Sequence, residues 1–190
     1  MARISLDPPR TVLFRAGEWY SRRVYGAVLD PGKAYAHHAR VLLATTRFER
    51  ALARWNKLDP MLKSLAVMAV AARIGCSWCL DFGYWESRGK GVPAVKLRNV
   101  PDWRDHTEVF TDLELLVMEY AEAVTETPPA VTDEMTQCLI ADLGEPAFVE
   151  LTAMIAVENL RSRTNSAFGL VGQGFRDRCG IPLRRVASEA

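Results

Sequence analysis

The chain has 190 residues, of which 49% are hydrophobic and 25% charged, a composition typical of a globular protein. Its net charge of +1, without any basic block, gives no electrostatic case for binding nucleic acid. The polar N-terminus with its two prolines does not resemble a secretion signal, and we expect no membrane association. Four cysteines in such a chain predict a reducing compartment, so we expect a cytoplasmic protein.

Residues 1–30 are the least patterned part of the sequence and predict an N-terminal arm. Pro8 and Pro9 favour an extended backbone there. Four aromatic residues could anchor the arm to its own domain or to a neighbouring subunit: Phe14, Trp19, Tyr20 and Tyr25.

A turn at Asp30-Pro31-Gly32 precedes a helix that is predicted from Lys33 to about Trp55. His37 and His38 are adjacent, so only one of them can face inward, and His38 lies on the apolar stripe. One interpretation of His38 is a core or interface histidine, and the other is a proton shuttle.

The next helix is apolar on almost every side. Asp59 and Pro60 are typical of a helix start, and from Met61 to Ile74 only Lys63, Ser64 and Arg73 interrupt the apolar run. A helix of this kind belongs in the middle of a core. It is shorter than a transmembrane span, which needs roughly 20 residues.

Gly75 breaks that helix and places Cys76 and Cys79 in the first turn of the next one, which runs to about Arg88. The free N–H groups and the positive dipole end there stabilise a thiolate, the reactive form of cysteine. A spacing of three puts both sulfurs on one face, close enough to form a disulfide. The alternatives are two inert buried thiols, or half of a zinc site, which is disfavoured because no second ligand cluster exists.

The remainder is predicted to form helices, with a loop from Asn99 to Phe110. Pro93 begins a short one, Thr111 and Glu114 form a capping-box pattern, Thr132 caps another helix, and Pro146 begins the last, which reaches about Gly169. Strand alternation is nowhere sustained, so the fold class is all-α.

Two runs carry a resemblance to a known family. LDPMLKSLAVMAVAARIGCSWCLDFG resembles the core segment of the carboxymuconolactone decarboxylase superfamily, in its alkylhydroperoxidase D-like branch, and LTAMIAVENLRSRTNSAFGL resembles the helix that closes such domains. The resemblance covers roughly Asp30 to Phe175. It implies an AhpD-like helical domain over 31–175, a tail at 176–190, a homo-oligomer, and a CxxC pair at the start of a core helix. It also implies that this pair reduces peroxides, needs no bound cofactor or metal, and is re-reduced by an external thiol partner.

The chain departs from the peroxidase members of that family at two positions. Those members have a glutamate twelve residues before the first cysteine and a histidine four after the second, whereas this chain has Ser64 and Gly83. The usual proton relay is therefore missing. By the family pattern Cys79 attacks and Cys76 resolves the disulfide, but a thioredoxin-like assignment reverses these roles, and the sequence leaves the order open.

Other residues are candidates for a relay or pocket. Glu158 and Asn165 continue a stripe of the last helix that starts apolar, and a buried carboxylate needs a partner such as Arg161 or Arg163. Glu158 is either a structural salt bridge or subunit contact, or a replacement for the glutamate that is missing at Ser64.

Asp81 and Tyr84 follow the cysteine pair on the same helix. Asp81 could influence the pKa of a thiol, but at two residues from Cys79 it points to another face, where it would meet solvent or bond a neighbouring helix. Tyr84 could line the mouth of the site.

Three functions remain open. The leading hypothesis is a thiol-dependent peroxidase or disulfide oxidoreductase with a small-molecule peroxide as substrate. The second is a cofactor-free decarboxylase or isomerase-like lyase that acts on a small carbonyl acid. The third is a non-catalytic redox-sensing or binding oligomer.

Overall fold

A computed structural model describes residues 2–179, and within that range the chain is all-α, as predicted. Nine α-helices occur there: α1 Val12–Tyr25, α2 Asp30–Tyr35, α3 Ala39–Leu52, α4 Pro60–Ile74, α5 Ser77–Gly89, α6 Ala94–Asn99, α7 Asp112–Thr125, α8 Asp133–Leu143 and α9 Glu145–Phe168. Three 3-10 turns, Val100–Asp105, Thr107–Val109 and Arg176–Cys179, complete the described part. Most of the predicted tail, from residue 180 onward, lies outside the described residues.

Helix α4 is the centre of the molecule, and it packs against α5, α7 and α9. Asp59 caps it, because its carboxylate accepts the backbone N–H groups of Met61 at 2.8 Å and Leu62 at 3.2 Å. Six of its residues have no exposed surface: Leu65, Ala66, Met68, Ala69, Val70 and Ala71. Each larger side chain among them contributes about 1.5–3 kcal/mol through burial. The prediction of a central buried helix is confirmed.

Helices α7 and α9 flank α4. The predicted capping box is present at the start of α7, where the Thr111 hydroxyl accepts the Glu114 N–H and the Glu114 carboxylate accepts the Thr111 N–H. Helix α9 has 24 residues and ends at Gly169, whose φ of 68° is left-handed. It is long enough to contact both the main core and the cysteine pair.

The expectation of an extended N-terminal arm is wrong for residues 12–25, which form α1. The side chain of Thr11 caps this helix by accepting the Phe14 N–H at 3.1 Å, so the influence of the prolines ends before it. Of the four aromatic anchors, Phe14 is buried and Tyr25 packs on Phe82 and Trp85. The side chains of Trp19 and Tyr20 are exposed.

The single helix that the sequence predicts from Lys33 to Trp55 is in fact two helices, α2 and α3. His38 breaks it, because its extended backbone and its ring nitrogen, which accepts the Val41 N–H at 3.4 Å, form the cap of α3. His38 is exposed, so the prediction that it faces inward is wrong. His37 is also exposed and hydrogen-bonds the Ser5 carbonyl at 2.8 Å.

Candidate functional site

The cysteine pair lies where α4 ends and α5 begins. Gly75 ends α4 in a left-handed conformation with φ of 77°, and Cys76 is the N-terminal cap of α5. Cys76 and Cys79 form a disulfide with 5.3 Å between their Cα atoms. The backbone N–H of Cys79 donates to the Cys76 sulfur at 3.2 Å. This confirms the predicted position of the pair at the start of a core helix.

The second sulfur has a different donor. The side-chain amide of Asn165, near the end of α9, donates to the Cys79 sulfur at 3.4 Å, and Asn165 is itself buried. One sulfur is therefore held by the backbone of its own helix and the other by a side chain from α9. Hydrogen bonds of both kinds favour a thiolate over a thiol.

An apolar cover encloses both sulfurs, leaving Cys76 2% and Cys79 8% exposed. It consists of Ala71, Trp78 and Leu170 with the partly buried Ala2, Leu6, Leu29, Leu80, Phe82 and Phe168. Arg3 fastens the N-terminal part of this cover to the end of α9. Its backbone N–H donates to the Phe168 carbonyl at 2.7 Å, and its guanidinium donates to the carbonyls of Ser166 and Ala167.

Asp81 holds the segment that follows α9. Its carboxylate accepts the backbone N–H groups of Gln173 at 2.6 Å, Phe175 at 3.1 Å and Arg176 at 2.8 Å. These three bonds occupy both of its oxygens. The structure therefore supports the interpretation of Asp81 as a hydrogen-bonding carboxylate that joins two segments.

The two positions where the family places its relay residues are occupied in other ways. The Ser64 hydroxyl is buried and donates to the Pro60 carbonyl of its own helix at 2.8 Å. At Gly83, a Cβ atom would lie 2.4 Å from the Met68 sulfur. Position 83 has no room for a histidine while Met68 keeps its present conformation.

Glu158 is a buried carboxylate on the same face of α9 as Asn165. It is 3% exposed, accepts the Ser162 hydroxyl proton at 2.7 Å, and lies 3.4 Å from the Arg161 guanidinium. Arg161 is therefore its ionic partner, and it also pairs with Glu49 of α3. Burial raises the pKa of Glu158 to about 7, although Arg161 and the Ser162 hydroxyl act to lower it.

Tyr84 does not line the surroundings of the disulfide as predicted. It is fully buried in the main core, and the Arg176 guanidinium lies 3.8 Å from its ring centre. Burial raises the pKa of its hydroxyl. Five residues after Cys79, it projects about 140° around the helix from that cysteine, which explains its position.

Gln173 and Arg3 were not singled out from the sequence. The Gln173 side chain accepts the Trp78 indole N–H at 2.8 Å and the Asp30 N–H at 2.9 Å, and donates to the Val28 carbonyl. It thus joins three distant segments around the cysteines. No local pattern marks either residue, because their partners lie more than 90 positions away.

The described residues place limits on other kinds of site. Among residues 2–179, no group of three or more His, Cys, Asp or Glu side chains could hold a metal ion. No helix in that part of the chain is long and apolar enough to cross a membrane. A depression of about 450 Å³ lies at the opposite end of α5 from the cysteines, between Trp85 and Cys179.

Comparison with known proteins identifies the family. The model of the carboxymuconolactone decarboxylase family matches residues 39–123, which include both cysteines. The uncharacterized protein YnjA of Escherichia coli is 35% identical over 175 residues, which cover 92% of this chain and 94% of that protein. The chain belongs to the carboxymuconolactone decarboxylase family.

Solved structures with the same fold carry different functional descriptions. An uncharacterized peroxidase-related protein from Silicibacter sp. TM1040 superposes with a TM-score of 0.79 at 16% identity, covering 92% of each chain. The debrominase Bmp8, in complex with 2,3,4-tribromopyrrole, also gives 0.79 at 14% identity, covering 95% of this chain and 98% of its own. At these identities the likeness shows the fold alone.

Glu158 should make stability depend on pH. Because burial raises its pKa from 4.5 to about 7, the folded state favours the protonated form, and stability falls as pH rises between those values. The loss is roughly 3 kcal/mol, at about 1.4 kcal/mol for each pKa unit. Urea denaturation across this range should show the decline in the wild type and a flatter curve in Glu158→Gln. Identical slopes would contradict the assignment.

The contact between Gly83 and Met68 can be tested with a double-mutant cycle. Gly83→His should be overpacked and lose about 1–3 kcal/mol or more, and Met68→Ala should lose about 2–5 kcal/mol by leaving a cavity. The double variant should lose clearly less than the sum, because the new side chain enters the vacated space. Additive losses in urea denaturation would show that the two positions are independent.

Proposed function

We propose that this chain is a thiol-dependent peroxidase in which Cys79 attacks a hydroperoxide and Cys76 then closes the disulfide. The observation that carries the proposal is the pair itself, at the N-terminus of a buried helix with a separate hydrogen-bond donor for each sulfur. A peroxidase-related protein with the same fold supports it.

The electrons in the proposed reaction come from the two cysteines and then from an external reductant. The Cys79 thiolate attacks the outer oxygen of the hydroperoxide, the O–O bond breaks, and the leaving alkoxide takes a proton and departs as the alcohol. The Cys76 sulfur then displaces hydroxide from the Cys79 sulfenic acid, and water leaves as the disulfide forms. A small or protein dithiol reduces the disulfide and is itself oxidised.

The environment of the two sulfurs favours Cys79 as the attacking one. It is the more exposed of the two, at 8% against 2% for Cys76. The Asn165 amide donates to its sulfur from across the helix interface, which would stabilise both the thiolate and the charge that develops on attack. Cys76 lies deeper and receives the backbone N–H of Cys79, which suits a resolving cysteine.

The lyase alternative receives less support. That chemistry would use cationic side chains to bind a carboxylate substrate. Near the cysteines, however, the Arg3 guanidinium bonds backbone carbonyls and Arg161 pairs with Glu158 and Glu49. These two arginines therefore serve the fold, and dithiol chemistry remains the better proposal.

A homo-oligomer is also proposed. Helices α1 and α3 leave large apolar side chains in solvent, among them Trp19 at 67% and Phe48 at 41% exposed. Only Phe14 of α1 and Leu52 of α3 are buried, and a helix of 14 residues is marginal on its own in water. We expect a second copy of the chain to cover these faces. A monomeric mass in sedimentation equilibrium at micromolar concentration would contradict this.

Cysteine variants test the peroxidase proposal. With one equivalent of organic hydroperoxide, the reduced wild type should lose two thiols and gain a Cys76–Cys79 disulfide, located by mass spectrometry. Cys76→Ser should lose one thiol and hold a sulfenic acid that dimedone traps, and Cys79→Ser should lose none at this site. Cys138→Ser removes an exposed free thiol and serves as the control, with wild-type consumption expected. Equal consumption by Cys79→Ser and the wild type would refute the proposal.

A further inference from the structure

The buried face of α9 bears a row of polar side chains that leads to the reacting sulfur. Glu158, Ser162 and Asn165 are 3%, 0% and 3% exposed, and their spacing of four and then three residues places them on one face. Glu158 bonds Ser162, and Asn165 bonds the Cys79 sulfur. We propose that Glu158 exchanges protons with Cys79 through this row, as the acid–base group of the proposed peroxidase.

The row begins where solvent can reach it. Arg161 contacts Glu158 at 3.4 Å and extends to Glu49 of α3, whose side chain is 48% exposed. Ser162 and Asn165 are three residues apart and therefore neighbours on the surface of α9, and Asn165 contacts the Cys79 sulfur. The Arg161 side chain is 30% exposed, so the row runs from a partly exposed cation towards the Cys79 sulfur.

The other candidate groups either have hydrogen-bond partners already or lack a side chain. The Ser64 hydroxyl bonds its own helix, position 83 has no side chain, and Asp81 is occupied by three backbone N–H groups. His37 and His38 are exposed; His37 bonds the Ser5 carbonyl, and His38 caps its own helix. Among the candidates singled out, Glu158 is the carboxylate on the face of α9 that touches Cys79.

Charged and titratable groups from several helices surround Glu158. Arg161 of its own helix and Glu49 of α3 act on it directly. Tyr25 of α1 and Tyr35 of α2 interact electrostatically with that ion pair. Glu86 of α5 interacts in the same way with Arg161. Burial outweighs the favourable partners and raises the pKa of Glu158 to about 7, where a group can both accept and return a proton.

The proton balance closes without any additional reactant. In the proposed step the Cys79 thiol loses its proton along this row to the Glu158 carboxylate, which leaves a thiolate beside the Asn165 amide. After the thiolate attacks the hydroperoxide and the O–O bond breaks, the sulfur keeps the hydroxyl group. The alkoxide takes the proton back and leaves as the alcohol, so Glu158 returns to its carboxylate form.

The experiment compares Glu158 and Glu158→Gln in a Cys76→Ser background, which leaves Cys79 as the site's single thiol. Two rates are measured against pH: sulfenic acid formation with hydroperoxide, and alkylation by iodoacetamide. With Glu158, the first rate should rise through about pH 7 as the carboxylate forms. Glu158→Gln should remove that inflection and lower the rate at pH 8 about tenfold or more, the scale of a lost general base.

A matched control lies on the same helix. Glu150 is also buried, pairs with Lys63, and accepts the Lys57 N–H. Glu150→Gln should lower stability without moving the inflection of either rate. Glu158→Asp keeps a carboxylate and should retain part of the inflection, which a purely structural role would not require.

A direct titration adds a readout that does not depend on peroxide. The infrared carboxyl band assigned by difference from Glu158→Gln should titrate near pH 7, and its midpoint should shift when Cys79→Ser removes the thiol, because coupling between two sites is reciprocal. No shift, together with an unchanged pH profile in Glu158→Gln, would overturn the inference while leaving a peroxide-consuming dithiol intact. A coupled titration in a protein that consumes no hydroperoxide would refute the peroxidase proposal alone.

Discussion

The site depends on the left-handed turn at Gly75. Helix α4 is buried on nearly all sides, and Gly75 ends it within one residue, so that Cys76 directly caps α5. A side chain at a φ of 77° would be strained, which is why glycine stands there. The disulfide, its backbone donor and the approach of Asn165 all follow from that single change of direction.

The two positions at which the peroxidase pattern places its relay residues carry no titratable side chain in this chain. Where the pattern has a glutamate and a histidine, α4 presents Ser64, bonded to its own backbone, and α5 packs a bare backbone against the Met68 sulfur. On helix α9, Glu158 and Ser162 are buried on the face that carries Asn165, and the Asn165 amide contacts the Cys79 sulfur.

The elements that the sequence predicts well are those that local chemistry determines. Asp59 with Pro60, Gly75, and the Thr111 capping box all act within four residues, and each is found as expected. The stripe of α9 follows from its 3.6-residue period. The prediction for His38 was wrong because a histidine ring can either cap a helix or fill a core position. Tertiary packing, which the local sequence does not encode, decides between the two. The contacts of Asp81 and Gly83 depend on the relative placement of distant segments, which no local spacing encodes.

The position of Arg3 has a practical consequence for handling the protein. Its bonds to the last carbonyls of α9 place the beginning of the chain directly above the sulfurs, with Ala2 and Leu6 packed against the same cluster. An affinity tag fused ahead of these residues would begin beside the cysteine pair. Thiol reactivity measured on a tagged preparation would then depend on the tag as well as on the protein itself.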